Sequence, residues 1–482
     1  MKKILALVLA LVMVVALGVG LVACNPTEAE DTTIYVGNTA GTTGYLASIG
    51  VPFNLGIEAA LAAYNAEGGF NGRNVALKHY DDGGNPTQSL SLMEKLIYED
   101  EVFAIVGNYG GYAVNVNLDT IKAEKVPMVY AAAGIDALYN ANADTAEEKV
   151  VFPVQPLNIT EGRVLLARAL AAAFVPDANA ETGFALTGGL GATKVGVLAC
   201  ADEASQGMLN GIKMEKETLS AARQAAVFIQ DLAGTAPDFA AAAQALVAEG
   251  CDTVIVTVTG TNFVAALTAL ANANYTGNVL TSYNNASADV LNDSKTKLMT
   301  ETGLDIMSKM TIYSQGWLDI SSLTYVYNED TALVAAYKKL GDLYANGVTG
   351  FNEEYWGVAE NIYNYAIAAG NNETTAFAMS YNSFALAGYI AGDLFCQGLK
   401  ELQAQGKELT RENYVAIMES KEFKVAMGGM ISYADGLRAG VDMFSVSVFY
   451  DTFDYGLEYH SAGSIAYSGL TGIDYFRGLI VG

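Results

Sequence analysis

Histidine and cysteine are scarce, with two and four in 482 residues. His79 and His460 lie far apart, and no His/Cys cluster has the spacing that tetrahedral zinc requires. No metal site is therefore expected. No G-x-S-x-G turn presents a nucleophile, and no G-x-x-x-x-G-K-[ST] loop cradles a phosphate. The glycine-rich stretch 188–191 has the wrong spacing and follows no strand. Asp81 and Asp82 resemble an acid/base pair, but they precede Gly83-Gly84-Asn85-Pro86 and read better as a turn and helix cap. No catalytic residue and no cofactor is expected. Basic residues are few as well: 26 Lys and Arg face 52 Asp and Glu, for a net charge of -26. With no basic stripe, nucleic acid is excluded as a partner.

Long apolar runs are also lacking, with one exception. Residues 4–21 are apolar with small glycines, follow Lys2 and Lys3, and lead into Leu21-Val22-Ala23-Cys24. A basic head, an apolar stretch and small residues before a cleavage point describe an export signal. The final cysteine resembles a bacterial lipobox, where the thiol takes a diacylglycerol. A plain membrane anchor is the competing reading, since ~18–20 apolar residues span a bilayer. Both place the rest of the chain outside the cytoplasm. The expected order is a signal peptide over 1–23, lipid on Cys24 and a polar, acidic tether over 24–31. Cys200, Cys251 and Cys396 remain, odd in number and without C-x-x-C spacing, and read as buried structural thiols.

What is present is an alternation of strands and helices. Short apolar runs at 34–36, 75–80, 103–107 and 127–131 are separated by helical patterns at 54–65, 86–98 and 113–124. The pattern restarts with helices at 159–174, 206–219, 237–249 and 262–274 and strands at 194–198, 227–229, 253–258 and 278–281. Such alternation predicts an α/β protein with two doubly wound parallel-sheet lobes. The roughly 450 residues past the tether exceed one ordinary domain of ~100–200 residues, which agrees. Residues 176–193 read as a loop insertion, and residues 300–375 are irregular and rich in tyrosine. Helices at 384–403 and 410–418 and strands at 430–432 and 444–450 close the chain.

In doubly wound sheets, ligands sit on the loops at the carboxyl ends of the strands. The first half offers Thr43 and Tyr45 after its first strand, Tyr109, Gly110, Gly111 and Tyr112 after its third, and Ala132 and Gly134 after its fourth. Bare backbone N–H groups at a helix start attract anions. The second half offers Glu203, Ser205, Thr259 and Tyr283, whose aromatic, carboxyl and hydroxyl groups are placed to close over a ligand. Tyr45, Tyr109, Tyr112 and Tyr283 together suit an aromatic-walled pocket.

Residues 62–82, reading AAYNAEGGFNGRNVALKHYDD, resemble the leucine/isoleucine/valine-binding protein family of ABC-transporter solute receptors. Pro86-Thr87-Gln88, Ala104-Ile105-Val106-Gly107 and Val126-Pro127-Met128-Val129 keep the family's order, and Met427-Gly428-Gly429 with Asp435-Gly436 resembles a late turn of it. The resemblance implies a type I periplasmic-binding fold with a three-strand hinge. Residues 32–157 with about 308–440 would form lobe 1, and 158–307 with about 441–482 lobe 2. It implies a monomeric receptor on the outer face of the membrane, held in lipid by Cys24, that delivers a small polar ligand to an ABC permease. A receptor feeding a signalling partner is the second reading. It also implies ligand contacts at Tyr109, Gly110, Gly111, Ala132 and Gly134. Two departures stand out. Gly111 and Gly134 replace hydroxyl side chains, and Tyr283 stands where an acid would meet an α-ammonium group. Asp202 or Glu203 is the expected substitute.

Overall fold

The structure, a computed structural model, describes residues 32–172, 189–232, 236–285, 303, 309–318, 353–450, 464–467 and 471–480. The signal, the tether, Cys24, most of the 176–193 stretch and much of 300–375 lie outside the described residues.

The first sheet is wholly parallel. It contains β1 (Ile34–Ala40), β2 (Val75–Asp81), β3 (Ala104–Val106), β4 (Met128–Val129) and β5 (Val151–Phe152), in the order β2-β1-β3-β4-β5. Between the strands run α1 (Ala47–Ala66), α2 (Pro86–Tyr98) and α3 (Gly111–Ala123). Local chemistry sets their ends. Asn85 accepts the Gln88 N–H at 3.1 Å while Pro86 occupies the first helical position, so α2 starts where that cap dictates. α1 starts seven residues ahead of the expected start, because Pro52 falls inside the helix and hides its beginning.

The chain then crosses to a second lobe through 153–157. There α4 (Asn158–Leu170) precedes β6 (Val195–Cys200), α5 (Glu203–Glu217), β7 (Val227–Leu232), α6 (Phe239–Glu249), β8 (Thr253–Val256), α7 (Gly260–Asn272) and β9 (Gly277–Thr281). β6 is buried along its whole length, as a central strand covered on both faces must be. β10 (Met310–Gly316) pairs in parallel with β9. It therefore extends the second sheet, although the expected lobe boundary put residues from about 308 in lobe 1. The crossing back follows Gly316, and Leu318 is already in the first lobe's core.

Lobe 1 is completed by α8 (Glu353–Ala368), α9 (Glu373–Ser380), α10 (Ser383–Ala404), α11 (Arg411–Met418) and the hairpin β11 (Glu422–Val425) and β12 (Gly429–Ser432). α8 and α9 emerge from a stretch without clear period. The chain crosses a third time at 438–442. β13 (Met443–Tyr450), β14 (Ser464–Tyr467) and β15 (Thr471–Gly472) then finish the second sheet, whose main order is β14-β13-β10-β9-β8-β6-β7.

Each lobe is clasped by one close helix pair built on glycine. A Cβ on Gly56 of α1 would strike the Ala385 carbonyl, and one on Gly388 of α10 would strike that of Phe53. In lobe 2, Gly162 of α4 faces the Met208 carbonyl and Gly211 of α5 faces that of Ile159. The crossovers themselves are tied together. Val441 donates its N–H to the Val154 carbonyl at 2.8 Å, and Thr160 donates to the Ala439 carbonyl at 2.7 Å.

Candidate functional site

The carboxyl ends of both sheets face each other across the crossovers. In lobe 1 the loops after β3 and β4 are zipped together. Gly110 donates its N–H to Ala132 O at 3.1 Å, and Ala132 donates to Asn108 O at 2.8 Å, which makes a bridge between Tyr109 and Ala132. Gly107 and Gly110 hold φ of 75° and 93°, values that favour glycine. At Gly107 a Cβ would also meet the Phe53 ring. This geometry delivers Tyr109, Gly110 and Gly111 to the start of α3, as the strand-end argument expects.

An aromatic run lines the crossover side. Phe53 lies 5.8 Å from Tyr109 and 6.1 Å from Tyr130, and Tyr130 lies 6.2 Å from Trp317. Tyr130 carries a φ of 57°, and its hydroxyl donates to Gln155 at 3.2 Å. Tyr283 reaches in from lobe 2, near enough to Tyr130 to raise its hydroxyl pKa, which burial already pushes well up. Sequence reasoning named Tyr109 and Tyr283 but missed Tyr130 and Trp317. Tyr130 directly follows an apolar strand and was within reach of the strand-end argument. Trp317 was hidden in the irregular stretch.

Several expected site residues are occupied elsewhere. The Tyr112 hydroxyl donates to buried Asp82 at 2.9 Å, and Thr43 donates to Asp81 at 2.6 Å. Burial opposes charge on Asp81, yet hydrogen bonds from Thr43, Thr42 and Gly83 outweigh it and hold its pKa at about 2. Both aspartates thus fasten loops, the bland role their turn context indicated. Ser205 is fully buried. It takes the Cys200 N–H at 3.0 Å and shares a hydrogen bond with Thr257 at 2.7 Å. Thr259 precedes α7 without capping it. Gly134 is filled in by Asn158, whose side-chain oxygen lies 2.8 Å from where a Cβ would stand. Tyr45 falls in the one-turn helix Gly44–Leu46.

The acid lacking from the Ser282–Tyr283 loop arrives from another element. Glu161, in the first turn of α4 and fully buried, accepts Ser282 Oγ and Tyr283 N, each at 2.8 Å. Burial pushes its pKa up to about 7 against the pull of these donors. Gln315 lies beside the same carboxylate, yet neither of its buried amide atoms reaches a protein partner in hydrogen-bonding geometry. A glutamate beside Val164 and Leu165 on a helix that is buried nearly all round was the available signal for Glu161.

The lobes touch along one edge. Asn115 of α3 donates to Glu203 Oε1 at 3.1 Å, and Asn210 of α5 donates to Asp136 Oδ2 at 3.0 Å. The second Glu203 oxygen lies 3.3 Å from the position of a Gly111 Cβ. Gly207 abuts Asp136 and Asn158. Among the described residues no group of acids, histidines or cysteines could hold a metal ion.

Two facing α/β lobes joined by three crossovers constitute a binding scaffold, and residues 33–297 match the family model described as periplasmic binding protein. The chain belongs to that family. Its family and fold are those of solute-binding proteins, not of enzymes, and membership places it outside the cytoplasm. Among the described residues no helix is long and apolar enough to cross a membrane. Leu/Ile/Val-binding protein homolog 2 of Brucella abortus is 36% identical over 104 residues, covering 22% of this chain and 27% of that protein. The stretch shared with this curated relative thus spans about a quarter of the relative's length. Among solved structures, an ABC transporter substrate binding protein from Aeropyrum pernix superposes with a TM-score of 0.58 at 17% identity, over 93% of this chain and 99% of that one. A solute binding protein from R. palustris, in complex with benzoate, gives 0.55 at 16% identity, over 91% and 96%. At such identities the likeness is one of fold.

Proposed function

We propose that this periplasmic binding protein is the capture subunit of an ABC importer, tethered by lipid on Cys24, and that it closes two lobes over a small polar molecule. The observation that carries the reading is the two-lobe arrangement with its three crossovers as the hinge: the bridged loops of Tyr109, Gly110, Gly111 and Ala132 end strands of lobe 1, and the Glu161-braced Ser282–Tyr283 loop ends a strand of lobe 2. The fold likeness to a substrate binding protein of an ABC transporter and the local sequence likeness to a Leu/Ile/Val-binding protein support this reading. Lobe closure excludes water, which strengthens each polar contact inside. The lobe division that goes with this reading is 32–157 with 317–442, and 158–316 with 443–482.

The test is a thermal-shift screen of purified protein against amino acids, amides, amines and aromatic acids. A ligand that binds only the native state at a hundred times its Kd stabilises by about 2.7 kcal/mol, enough for a clear shift in Tm. A screen in which no compound moves Tm refutes capture. Labelling of the chain by a radioactive fatty acid, lost in Cys24→Ser, tests the tether.

A further inference from the structure

We infer that the two lobes carry a latch of their own, in which Asn115 pairs with Glu203 and Asn210 with Asp136. The latch sets how readily the cleft closes and how slowly it reopens, whatever molecule lies inside. The inference rests on the capture reading and adds to it residues that act on closure and not on the ligand.

Both lobes contribute to it. Glu203, Gly207 and Asn210 fall at i, i+4 and i+7 of α5, so they share one helix face, and that face meets lobe 1. The lobe 1 partners are Asn115, one turn into α3, and Asp136, in the segment after β4. The polarity alternates along the seam. Asn115 of lobe 1 donates to Glu203 Oε1 at 3.1 Å, while Asn210 of lobe 2 donates to Asp136 Oδ2 at 3.0 Å. Glycines let the surfaces approach. A Cβ on Gly207 would stand 2.7 Å from Asp136 Oδ1, and one on Gly111 would stand 3.3 Å from Glu203 Oε2. The seam continues to the first crossover, where Asn158 donates its N–H to Gly134 O at 2.7 Å.

Each pair joins a neutral amide to a carboxylate, a charge-assisted bond made entirely of protein groups. A bond between lobes forms only where they approach, so it favours the closed form over the open one. By linkage it shifts the equilibrium between them, and apparent affinity scales with the closed fraction. The factor is the same for every ligand, because the latch touches none. That separates it from a residue lining the cleft, which changes the preference among ligands. A latch acts on all of them alike, chiefly through the dissociation rate, since the lobes must part before a ligand leaves.

Small-angle X-ray scattering of the purified protein, with no ligand added, reads closure directly. Asn115→Asp sets a second carboxylate against Glu203 and is expected to raise the radius of gyration above the wild-type value. Combining it with Glu203→Gln restores one donor and one acceptor in reversed order and is expected to bring the radius back. Asn210→Ala should open the lobes on its own. Asn115, Glu203 and Asn210 are exposed, so each variant should keep the wild-type circular dichroism, and opening is not unfolding. For each amino acid, amide, amine or aromatic acid that raises Tm in the screen, Asn115→Asp is expected to raise Kd by about fivefold, the size of one exposed charged contact. An unchanged radius in Asn115→Asp, or an opening that Glu203→Gln does not reverse, overturns the latch and leaves capture standing. So does a change in Kd confined to one ligand class. A screen without hits refutes capture, and the scattering still decides the latch.

Discussion

Glu161 accepts the backbone N–H of Tyr283 at 2.8 Å, so an acid on the first helix of lobe 2 grips a loop 122 residues further along the chain. The same carboxylate takes Ser282, and the loop it steadies carries the tyrosine that faces lobe 1. Burial dominates its titration and raises its pKa from 4.5 to about 7.

The consequence for stability has a definite sign. Between pH 4.5 and about 7 the folded protein keeps a proton on Glu161 that the unfolded chain has lost. Its contribution to stability therefore falls as pH rises through this window and is flat above it. Glu161→Gln keeps the shape and removes the titration. At pH 8 the variant is expected to be more stable than the wild type by up to about 3 kcal/mol, with little difference at pH 4.5. Urea unfolding of both proteins at the two pH values reads this directly. A difference that does not grow with pH would contradict it.

Most of the fold was legible because doubly wound lobes announce themselves locally. Apolar strands such as Val195–Cys200 and capped helices such as Pro86–Tyr98 carry their signals within a few residues. β10 was not foreseen, because the stretch around 310–316 reads as irregular, and the expected boundary near 308 therefore left it out of the second sheet. For the candidate site, strand-end position reached Tyr109 to Gly111 in lobe 1 and Tyr283 in lobe 2, because those loops follow strands directly. Glu161 escaped notice because its partners, Ser282 and Tyr283, lie far away in sequence. Tyr112 and Ser205 were named as ligand groups because strand-end position does not show where a hydroxyl points. Their bonds to Asp82 and Thr257 are tertiary facts.

The glycine clasps supply a second expectation. In Gly388→Ala the new methyl meets the Phe53 carbonyl, and α1 and α10 must move apart. Overpacking of this kind costs about 1–3 kcal/mol. Gly162→Ala should do the same to α4 and α5. Gly357→Ala is the control, since a Cβ there meets nothing within 4 Å and the residue lies inside α8. It should be neutral or stabilising by about 0.4–1 kcal/mol, because alanine restricts the unfolded chain. Differential scanning calorimetry of the three variants distinguishes clasp from filler. Equal behaviour would argue against the clasps.

The thiols should be inert. Cys200, Cys251 and Cys396 are free and buried. Burial raises all three, Cys251 to about 11, so little thiolate exists at neutral pH. A reducing agent is expected to leave Tm unchanged, and a thiol reagent to react with these three only in denaturant. Rapid labelling of the folded protein would show that one of them is reached by solvent.

Tyr109 and Tyr112 stand three residues apart and separate the two roles a strand-end tyrosine can take. Tyr112 donates to Asp82, whose other oxygen is buried without a partner. In Tyr112→Phe that carboxylate loses a donor and keeps the Gly84 N–H on the same oxygen. The expected cost is roughly 1–3 kcal/mol of stability, since a buried acceptor is left short. Affinity for any ligand found in the screen should change little. Tyr109 sits where the loops after β3 and β4 are bridged, with its ring against Phe53. Tyr109→Ala removes a wall of the cleft and is expected to weaken binding at least tenfold. Its backbone bridge to Ala132 needs no side chain and should persist. Measuring Tm and affinity for both variants gives a two-by-two result. If Tyr112→Phe loses affinity while Tyr109→Ala retains it, Tyr112 is the wall and the cleft has been assigned to the wrong side of the loop.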